Sequence, residues 1–456
     1  MDVFMKSAVA STAVLAIVSF PAQIVAEEPV VAVTNSAATN AMAVVQPADA
    51  WNWHVQNTDM LQGHPSFRSP YAGPQSLSGK QQINQTESLD LFFGLGLWPG
   101  AEIHADALVW QGFGLSHTLG VAGFLSGEAF KTGTEIPNIT FAHLFVQQTF
   151  GLGGETETIA DGQLQLAKEV DVSRITLFAG KLNAKDYFDV SSYANDARTQ
   201  FLNWALVANG AWDYPADSLG YIPGAVVDWH EKDWSFRYGA FQEPRIANGA
   251  ASDPHFLEAW GMVLEAEHRH LWNGHPGAVK MLTFLNRANM GNYNATLENP
   301  SLGGDVSQTR KYRYKYGFGL NGEQELTRDL GVFARFSWND GKNESWAYTD
   351  IDQSGSAGLS LKGTLWSREE DTVGLAGVMN AISGGHSGIL AAGGVGILLG
   401  DGALHYGRER IVETYYDCHV WKTVHLAADF QYVVNPGYNR DRGPVPAFAV
   451  RLHWEL

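Results

Sequence analysis

The chain has almost no cysteine, few charged residues and a shortage of basic ones. Cys418 is the only cysteine among 456 residues, which excludes a disulfide framework and a zinc site built on cysteines. Charged residues make up 17% of the chain, less than globular proteins usually carry. Lysine and arginine number 30 against 48 acidic residues, a net charge of −18. We therefore expect no nucleic-acid partner, because phosphate binding needs clustered basic side chains.

The chain also lacks an apolar run long enough for a membrane-spanning helix, which needs about 20 residues. Lys6 precedes a run of small and apolar residues from Ala8 to Phe20, and Pro21 ends it. This pattern predicts an export signal over residues 1–26, with a short membrane anchor as the alternative. Residues 27–50 have no turn-bounded strand and are expected to form a flexible lead-in, or else a short periplasmic helix. Residues 51–456 are expected to form one domain.

Glycine and aromatic residues are abundant, with 49 Gly, 23 Phe, 16 Tyr and 15 Trp, and apolar residues recur with a period of two. At the C-terminal end, Phe448, Val450, Leu452 and Trp454 alternate with residues such as Arg451. Side chains alternate between the two faces of a strand, so this segment has one apolar and one polar face. The same alternation appears at 234–241, 312–320, 332–338, 412–420 and 426–434, and more weakly at 89–97, 103–110, 143–150, 175–180, 259–269 and 280–288.

Two folds have strands of this kind, a soluble β-sandwich and a transmembrane β-barrel. The barrel is favoured because strands of about 9 residues can cross a bilayer and because the polar faces carry full charges, which would be costly in a dry core. At roughly 25 residues per strand and connection, residues 51–456 hold about 16 antiparallel strands around an aqueous lumen. The predicted lumen-facing strand charges are Arg313, Lys315, Arg335 and Arg451.

No motif indicates catalysis. Residues 317–322 match GxGxxG, but they lie within an alternating strand rather than between a strand and a helix, so we expect no cofactor. These glycines are better explained as small residues that face a crowded lumen than as a cofactor-binding motif. The sequence has no GxSxG, no HExxH and no P-loop, and we expect neither a metal site nor an enzyme.

The segment from Gly180 to Gly224 interrupts the strand pattern. Asn195–Asn209 is predicted to be helical, since Asn195 and Asp196 can cap it and Gly210 can end it. A helix within a barrel sequence is expected in a loop that folds into the lumen, where it would narrow the pore and determine which solutes pass. An ordinary surface loop is the alternative. The candidate residues for this constriction are Asp186, Asp189, Asp196, Arg198, Asn203, Trp204, Asp213 and Asp217.

The same stretch resembles the carbohydrate-selective porins of the OprB family. The resemblance rests on DYFD at 186–189, YAND at 193–196, RTQFLNWA at 198–205 and DYPAD at 213–217, and on GFLSGEA at 123–129, DTVGLA at 371–376 and QYVVNPGYNRDRGP at 431–444. It implies a 16-stranded barrel in the bacterial outer membrane, with inward-folded loops, through which sugars diffuse passively. Outer-membrane lipid would surround the barrel. The protein would be a monomer or a homotrimer.

The segments WNWH at 51–54, FRSPY at 67–71 and GFGLS at 112–116 look like a subset of the family that is associated with manganese. An outer-membrane channel for divalent cations such as Mn²⁺ is therefore the alternative function. The net charge of −18 suits cations in a channel, but acidic surface loops would give the same total. For a sugar, the constriction offers aromatic rings for stacking and Arg, Asp and Asn side chains for the hydroxyl groups.

Overall fold

The computed structural model describes residues 50–129 and 133–456. The predicted export signal and nearly all of the 27–50 lead-in lie outside these residues. Sixteen antiparallel strands form a closed barrel, and the first strand pairs with the last. Two further strands, β5 and β6, pair only with each other. The strands are β1 Trp51–His64, β2 Gln82–Trp98, β3 Ala101–Gly112, β4 Thr134–Gly151, β5 Thr156–Ile159, β6 Lys168–Asp171, β7 Arg174–Leu182, β8 Ile222–Glu231, β9 Trp234–Gln242, β10 Trp260–Trp272, β11 His275–Met290, β12 Lys311–Glu325, β13 Leu330–Asn339, β14 Gln353–Gly363, β15 Arg368–Ala381, β16 Glu409–Trp421, β17 Val424–Val434 and β18 Val445–Glu455.

The faces of the strands confirm the predicted alternation. In β18, Phe448 and Val450 are about half exposed on the outer face, whereas Arg451 between Val450 and Leu452 is 2% exposed on the inner face. Apolar residues that face inward in a soluble sheet here face outward, which is the arrangement of a barrel in lipid. Exposed tryptophans mark one end of the wall, as expected for an interfacial girdle: Trp98, Trp229, Trp234, Trp272 and Trp421.

The two ends of the barrel have different connections. At one, which we call the turn end, six connections have only two or four residues, as between β2 and β3 or β12 and β13. At the other, the loop end, long connections such as residues 183–221 and 382–408 join the strands. Bacterial outer-membrane barrels have short periplasmic turns and longer extracellular loops, so the turn end corresponds to the periplasmic side.

The main apolar core lies inside the barrel, because the long connections fold into the lumen. Its largest side chains come from loops, among them Phe124, Phe188, Phe201 and Trp212, and they pack against small or apolar inward residues of the wall. The lumen is therefore largely filled, and what stays open is a passage between inserted segments.

The predicted helix over Asn195–Asn209 is wrong. Only the single turn α1, Trp204–Val207, is helical. The apolar residues of this segment are buried on all sides, so their spacing does not mark one face of a helix. The backbone N–H groups of Leu202 and Asn203 bond to Glu413 of the barrel wall rather than to carbonyls within the segment.

Two other α-helices lie in the loops, α2 at Tyr293–Leu297 and α3 at Gly384–Ala391. Within the part of the chain that the structure describes, no helix has the length and apolar character to cross a membrane.

Candidate functional site: the channel constriction

The connection between β7 and β8, residues 183–221, folds into the lumen, and we call it the constriction loop. Buried polar groups of the wall hold its backbone in place. Glu413 of β16 accepts hydrogen bonds from the N–H groups of Leu202 and Asn203, at 2.5 and 2.9 Å. From β18, Arg451 donates to the carbonyl oxygens of Ala197 and Gln200 at 2.8 and 2.9 Å. Because the backbone lies away from water, these bonds replace its lost hydration.

Asp189 anchors a second point of the constriction loop. Its carboxylate accepts from Arg335 Nε of β13 at 3.0 Å and from Asn209 Nδ2 at 2.9 Å. Neither Asp189 nor its partner Arg335 is more than 4% exposed. On the neighbouring strand β12, a Cβ added to Gly319 would lie 2.5 Å from Asn209 Nδ2, so the loop approaches the wall here as closely as glycine allows. This contact supports the interpretation of Gly319 as a small lumen-facing residue, and Gly317 lies on the same face. For Gly322 the interpretation is wrong, because it lies on the outer face with Leu320.

Asp213 joins the constriction loop to the connection between β13 and β14. It accepts from the backbone N–H groups of Trp346 and Ala347, each at 2.8 Å, and lies 3.4 Å from Lys315 Nζ. Asn203 has a similar role, because its side chain caps α1 and also donates to the carbonyl oxygen of Gly123 at 2.6 Å. These bonds link three inserted segments into one body inside the barrel.

A cavity of about 580 Å³ remains beside this body. Aromatic side chains from two inserted segments form part of its wall. Trp204 stacks on Tyr214 with a centroid distance of 5.6 Å, and Tyr348 lies 4.4 Å from Trp204 and 4.5 Å from Tyr214. Burial raises the pKa of Tyr348 to about 12, although the hydrogen bond with Tyr214 lowers it, so both the rings and their hydroxyl groups are uncharged at neutral pH.

Arg198 contributes a fixed positive charge to the same cavity. Its Nε donates to Glu128 Oε2 at 3.0 Å, and its Nη2 lies 3.2 Å from Asp90 Oδ2 on the wall. Burial opposes the charge of the guanidinium, but Asp90 and Glu128 raise the pKa of Arg198 well above its ordinary value. The side chain is therefore charged and held in one orientation by two carboxylates.

The cavity is also bordered by carboxylates on its other side. His143 of β4 lies between Asp106 Oδ2 and Asp186 Oδ2, at 3.0 and 2.8 Å. Next to Asp186, burial lowers the pKa of Lys185 to about 8. Uncharged rings, a paired arginine and several carboxylates thus share one narrow passage.

The structure separates the eight candidate constriction residues into two groups. Asp186, Asp196, Arg198 and Trp204 border the cavity. The other four do not border it. Asp189, Asn203 and Asp213 bind the loop to its surroundings, whereas Asp217 bonds within the loop and lies 3.7 Å from Lys181 Nζ of β7. Asp217 accepts from the N–H groups of Leu219 and Tyr221.

The predicted strand charges all lie on the inner face of the barrel, but three of them do not line open water. Lys315, Arg335 and Arg451 are buried under the inserted loops, where each pairs with an aspartate. Arg313 is half-buried and donates to the carbonyl oxygen of Thr309.

Sequence reasoning missed several residues of the cavity wall. Asp106 and His143 lie on the wall strands, and Tyr348 on a different loop. Asp90, also on a wall strand, does not border the cavity but contacts Arg198. Asp90 and Asp106 were detectable as polar positions between apolar residues, as Asp90 is between Leu89 and Leu91. His143 was not, because it follows the buried Ala142 at an irregularity in β4. Tyr348 gave no such signal, because its contact with Trp204 depends on how two distant loops fold together.

The family model of carbohydrate-selective porins, OprB family, matches residues 74–456. Among solved structures, OprB of Pseudomonas putida is similar with a TM-score of 0.67 and 16% identity, over 89% of this chain and 94% of that one. OccAB1 of Acinetobacter baumannii has a TM-score of 0.49 at 9% identity, over 91% of this chain and 99% of that one. The outer-membrane channel DcaP of the same species has 0.48 at 9%, over 89% and 97%. No curated protein matches the chain.

The family model confirms the family resemblance, and the similarity to the Pseudomonas putida structure confirms the predicted barrel. Neither supports the manganese alternative. Among residues 50–129 and 133–456, no group of three or more His, Cys, Asp or Glu side chains could hold a metal ion. The chain belongs to the OprB family of carbohydrate-selective porins, and it is an outer-membrane channel for sugars.

Proposed function

We propose that sugars cross the barrel through the cavity bordered by Trp204, Tyr214 and Tyr348, with Arg198 and the nearby carboxylates as their polar partners. The observation that carries this proposal is that the aromatic cluster and the paired arginine border the same passage. One face of this passage is apolar and flat, while the rest offers fixed donors and acceptors. A pyranose has the matching division, with C–H groups on its ring faces and hydroxyl groups around its edge.

The aromatic cluster is suited to weak binding of a solute that has to pass through the channel. Stacking against rings is weakly favourable and has little dependence on which hydroxyl groups a sugar carries. Tyr214 and Tyr348 stay neutral, so they do not attract ions into the passage. Weak contacts at several points allow a solute to enter and to leave, as conduction requires.

Arg198 offers hydrogen-bond donors of fixed orientation to the hydroxyl groups of a sugar. A guanidinium has five N–H donors in a fixed plane, and the bonds to Glu128 and Asp90 set the orientation of that plane. The two carboxylates also offset its charge, which weakens its attraction for anions. A neutral solute rich in hydroxyl groups therefore gains more from this site than a simple ion does.

Planar-bilayer recordings test this proposal through the block of ion current by added glucose. Arg198→Ala and Trp204→Ala should each lower the sugar binding constant about fivefold to tenfold, corresponding to roughly 1–1.4 kcal/mol for one lost contact. Arg313→Ala is the matched control, because Arg313 faces the lumen but does not border the cavity. If both cavity variants bind sugar as the unmodified protein does, sugars take another path.

We also propose outer-membrane lipid as the surrounding partner, which the outer apolar band supports. We keep the expectation that the channel works without catalysis or a cofactor. Its assembly as a monomer or a homotrimer stays a prediction. Mass measurement of the detergent-extracted protein distinguishes the two states.

A further inference from the structure

One turn-end connection differs from all the others. Residues 152–173 join β4 to β7 and carry the strands β5 and β6, whereas the other turn-end connections have two or four residues. We call residues 152–173 the inner hairpin. The N–H of Leu152 donates to the carbonyl oxygen of Ser173 at 2.9 Å, so the strand ends are already close enough for a short turn. The additional residues are not needed to connect the strands.

The tip of the inner hairpin lies against the lumen side of the wall. Asn52 Nδ2 of β1 donates to Asp161 Oδ1 at 2.6 Å and to the carbonyl oxygen of Gln165 at 2.7 Å. Lys168 Nζ donates to Glu102 Oε1 of β3 at 2.6 Å, and both side chains are buried. The inner hairpin therefore occupies the periplasmic mouth of the barrel rather than the periplasm.

The tip borders the same cavity as the constriction loop. Gln163, Leu164 and Gln165 line it together with Gln56 of β1 and Gln147 of β4. Gln163 Nε2 donates to Gln56 Oε1 at 3.1 Å. Phe145 and Phe178, which also border the cavity, lie 6.2 Å apart and give this part an aromatic side.

The charged groups around this part of the cavity are paired. Lys168 binds Glu102, Arg174 lies 2.6 Å from Glu157, and His54 lies 3.1 Å from Asp161. Lys168 and Arg174 also border the cavity, but these partners offset their charges, and neutral amides and aromatic rings form much of the remaining surface. This is the chemistry that binds an uncharged polyhydroxyl solute, and it offers little to an ion.

We propose that the inner hairpin forms a second sugar subsite at the periplasmic mouth, in which the amides of Gln163 and Gln147 bind hydroxyl groups. The proposal rests on the proposed function, since it extends the same passage. A sugar leaving Arg198 meets a neutral site before it reaches the periplasm. Oligosaccharides long enough to reach both sites contact them together, whereas a monosaccharide occupies one at a time.

The two subsites are joined by hydrogen bonds. Gln56, which accepts from Gln163, donates through Nε2 to Asp90 Oδ2 at 3.1 Å, and the same oxygen lies 3.2 Å from Arg198 Nη2. Gln56 is therefore a positioning residue for Arg198. For that reason it is left unchanged in the test.

The test uses ion-current block by glucose and by maltotriose as probes of one and of several sugar rings. The double variant Gln163→Ala, Gln147→Ala should lower the binding constant of maltotriose about threefold to tenfold and that of glucose less. Glu169→Gln is the control, because Glu169 is exposed on the same hairpin and does not border the cavity. A second variant replaces residues 153–172 by Asn-Gly, and it should lose at least as much maltotriose affinity.

The outcomes separate this proposal from the proposed function. If the double variant and the shortened variant both bind maltotriose as the unmodified protein does, while Arg198→Ala weakens binding, the second subsite is wrong and the constriction stands. If Arg198→Ala and Trp204→Ala also leave binding unchanged, both proposals are wrong. An equal loss for glucose and maltotriose in the double variant contradicts the two-site arrangement.

Discussion

The constriction loop and the inner hairpin lie on either side of β7 in the chain, and both fold into the lumen, but the barrel holds them differently. Buried ionic groups of the wall bind the constriction loop, as in the contacts of Glu413, Arg335 and Arg451 with its backbone. The inner hairpin has one buried ion pair, Lys168 with Glu102. Its other polar contacts are amide hydrogen bonds and partly exposed pairs, and Leu164 packs against the main apolar core.

This difference shows how a barrel can contain parts of unequal rigidity. A buried charge that loses its partner is costly, so the wall fixes the constriction loop strongly. Exposed pairs contribute little, so we expect the polar contacts at the tip of the inner hairpin to hold it less strongly. We therefore expect the constriction loop to be the more firmly held of the two inserted segments.

The largest effect is expected when one buried anchor of the constriction loop is removed. Asp189→Ala leaves Arg335 buried without its carboxylate, which should cost about 3–5 kcal/mol in the free energy of unfolding. Denaturant unfolding in detergent micelles measures this. Asp161→Ala, at the tip of the inner hairpin, is the matched variant, and it should cost less than about 1 kcal/mol.

Similar losses in the two variants would contradict the comparison. They would mean that the inner hairpin is held as firmly as the constriction loop, and that the partly exposed contacts of Asp161 are worth far more than such pairs usually are.

An intermediate effect is expected on the wall itself. Val450→Arg places a charge on the outer face of β18, where Val450 is 47% exposed, and should cost roughly 2–4 kcal/mol. Arg451→Gln changes the next residue, whose side chain binds the constriction loop. The barrel should still assemble, but the loop loses its bonds at Ala197 and Gln200, and the open-channel current should become noisier.

Heat-modifiable gel migration measures assembly in both wall variants, and bilayer recording measures current noise. Equal assembly defects would mean that the inner and outer faces of β18 are reversed.

Much of the wall could be predicted from the sequence, because a strand repeats every two residues and each face meets one environment. The alternation of Phe448, Val450 and Leu452 with Arg451 was enough to assign both faces of β18. Strands with weaker alternation were missed, such as β14, whose residues Gln353–Gly363 are mostly small and polar.

The contents of the lumen could not be predicted in the same way. Arg451 was predicted to face the lumen and lies on the inner face, but no sequence pattern indicated that an inserted loop covers it. Asp189 and Asp186 lie three residues apart in sequence, yet one anchors the loop and the other borders the cavity. Which role each takes depends on contacts with distant strands, and no local pattern records them.

The smallest effect is expected from the charge of Lys185, which belongs to the constriction loop. Burial lowers its pKa to about 8, against the opposing influence of Asp189. Its ammonium group is therefore charged at pH 7 and loses its proton as the pH rises through 8. Because Lys185 borders a cavity with several carboxylates, this loss makes the passage more negative.

We expect the preference of the channel for cations over anions to rise roughly twofold between pH 7 and pH 9, measured from reversal potentials in a salt gradient. Lys185→Arg keeps its charge throughout this range, so its selectivity should stay low and constant, whereas Lys185→Met should be cation-selective at both values. The control variant lies in the inner hairpin. Because Lys168 is paired with Glu102, Lys168→Arg should leave the pH dependence of the ion selectivity unchanged. If Lys185→Arg shows the same rise as the unmodified protein, another group titrates, and the constriction loop does not set ion selectivity through Lys185.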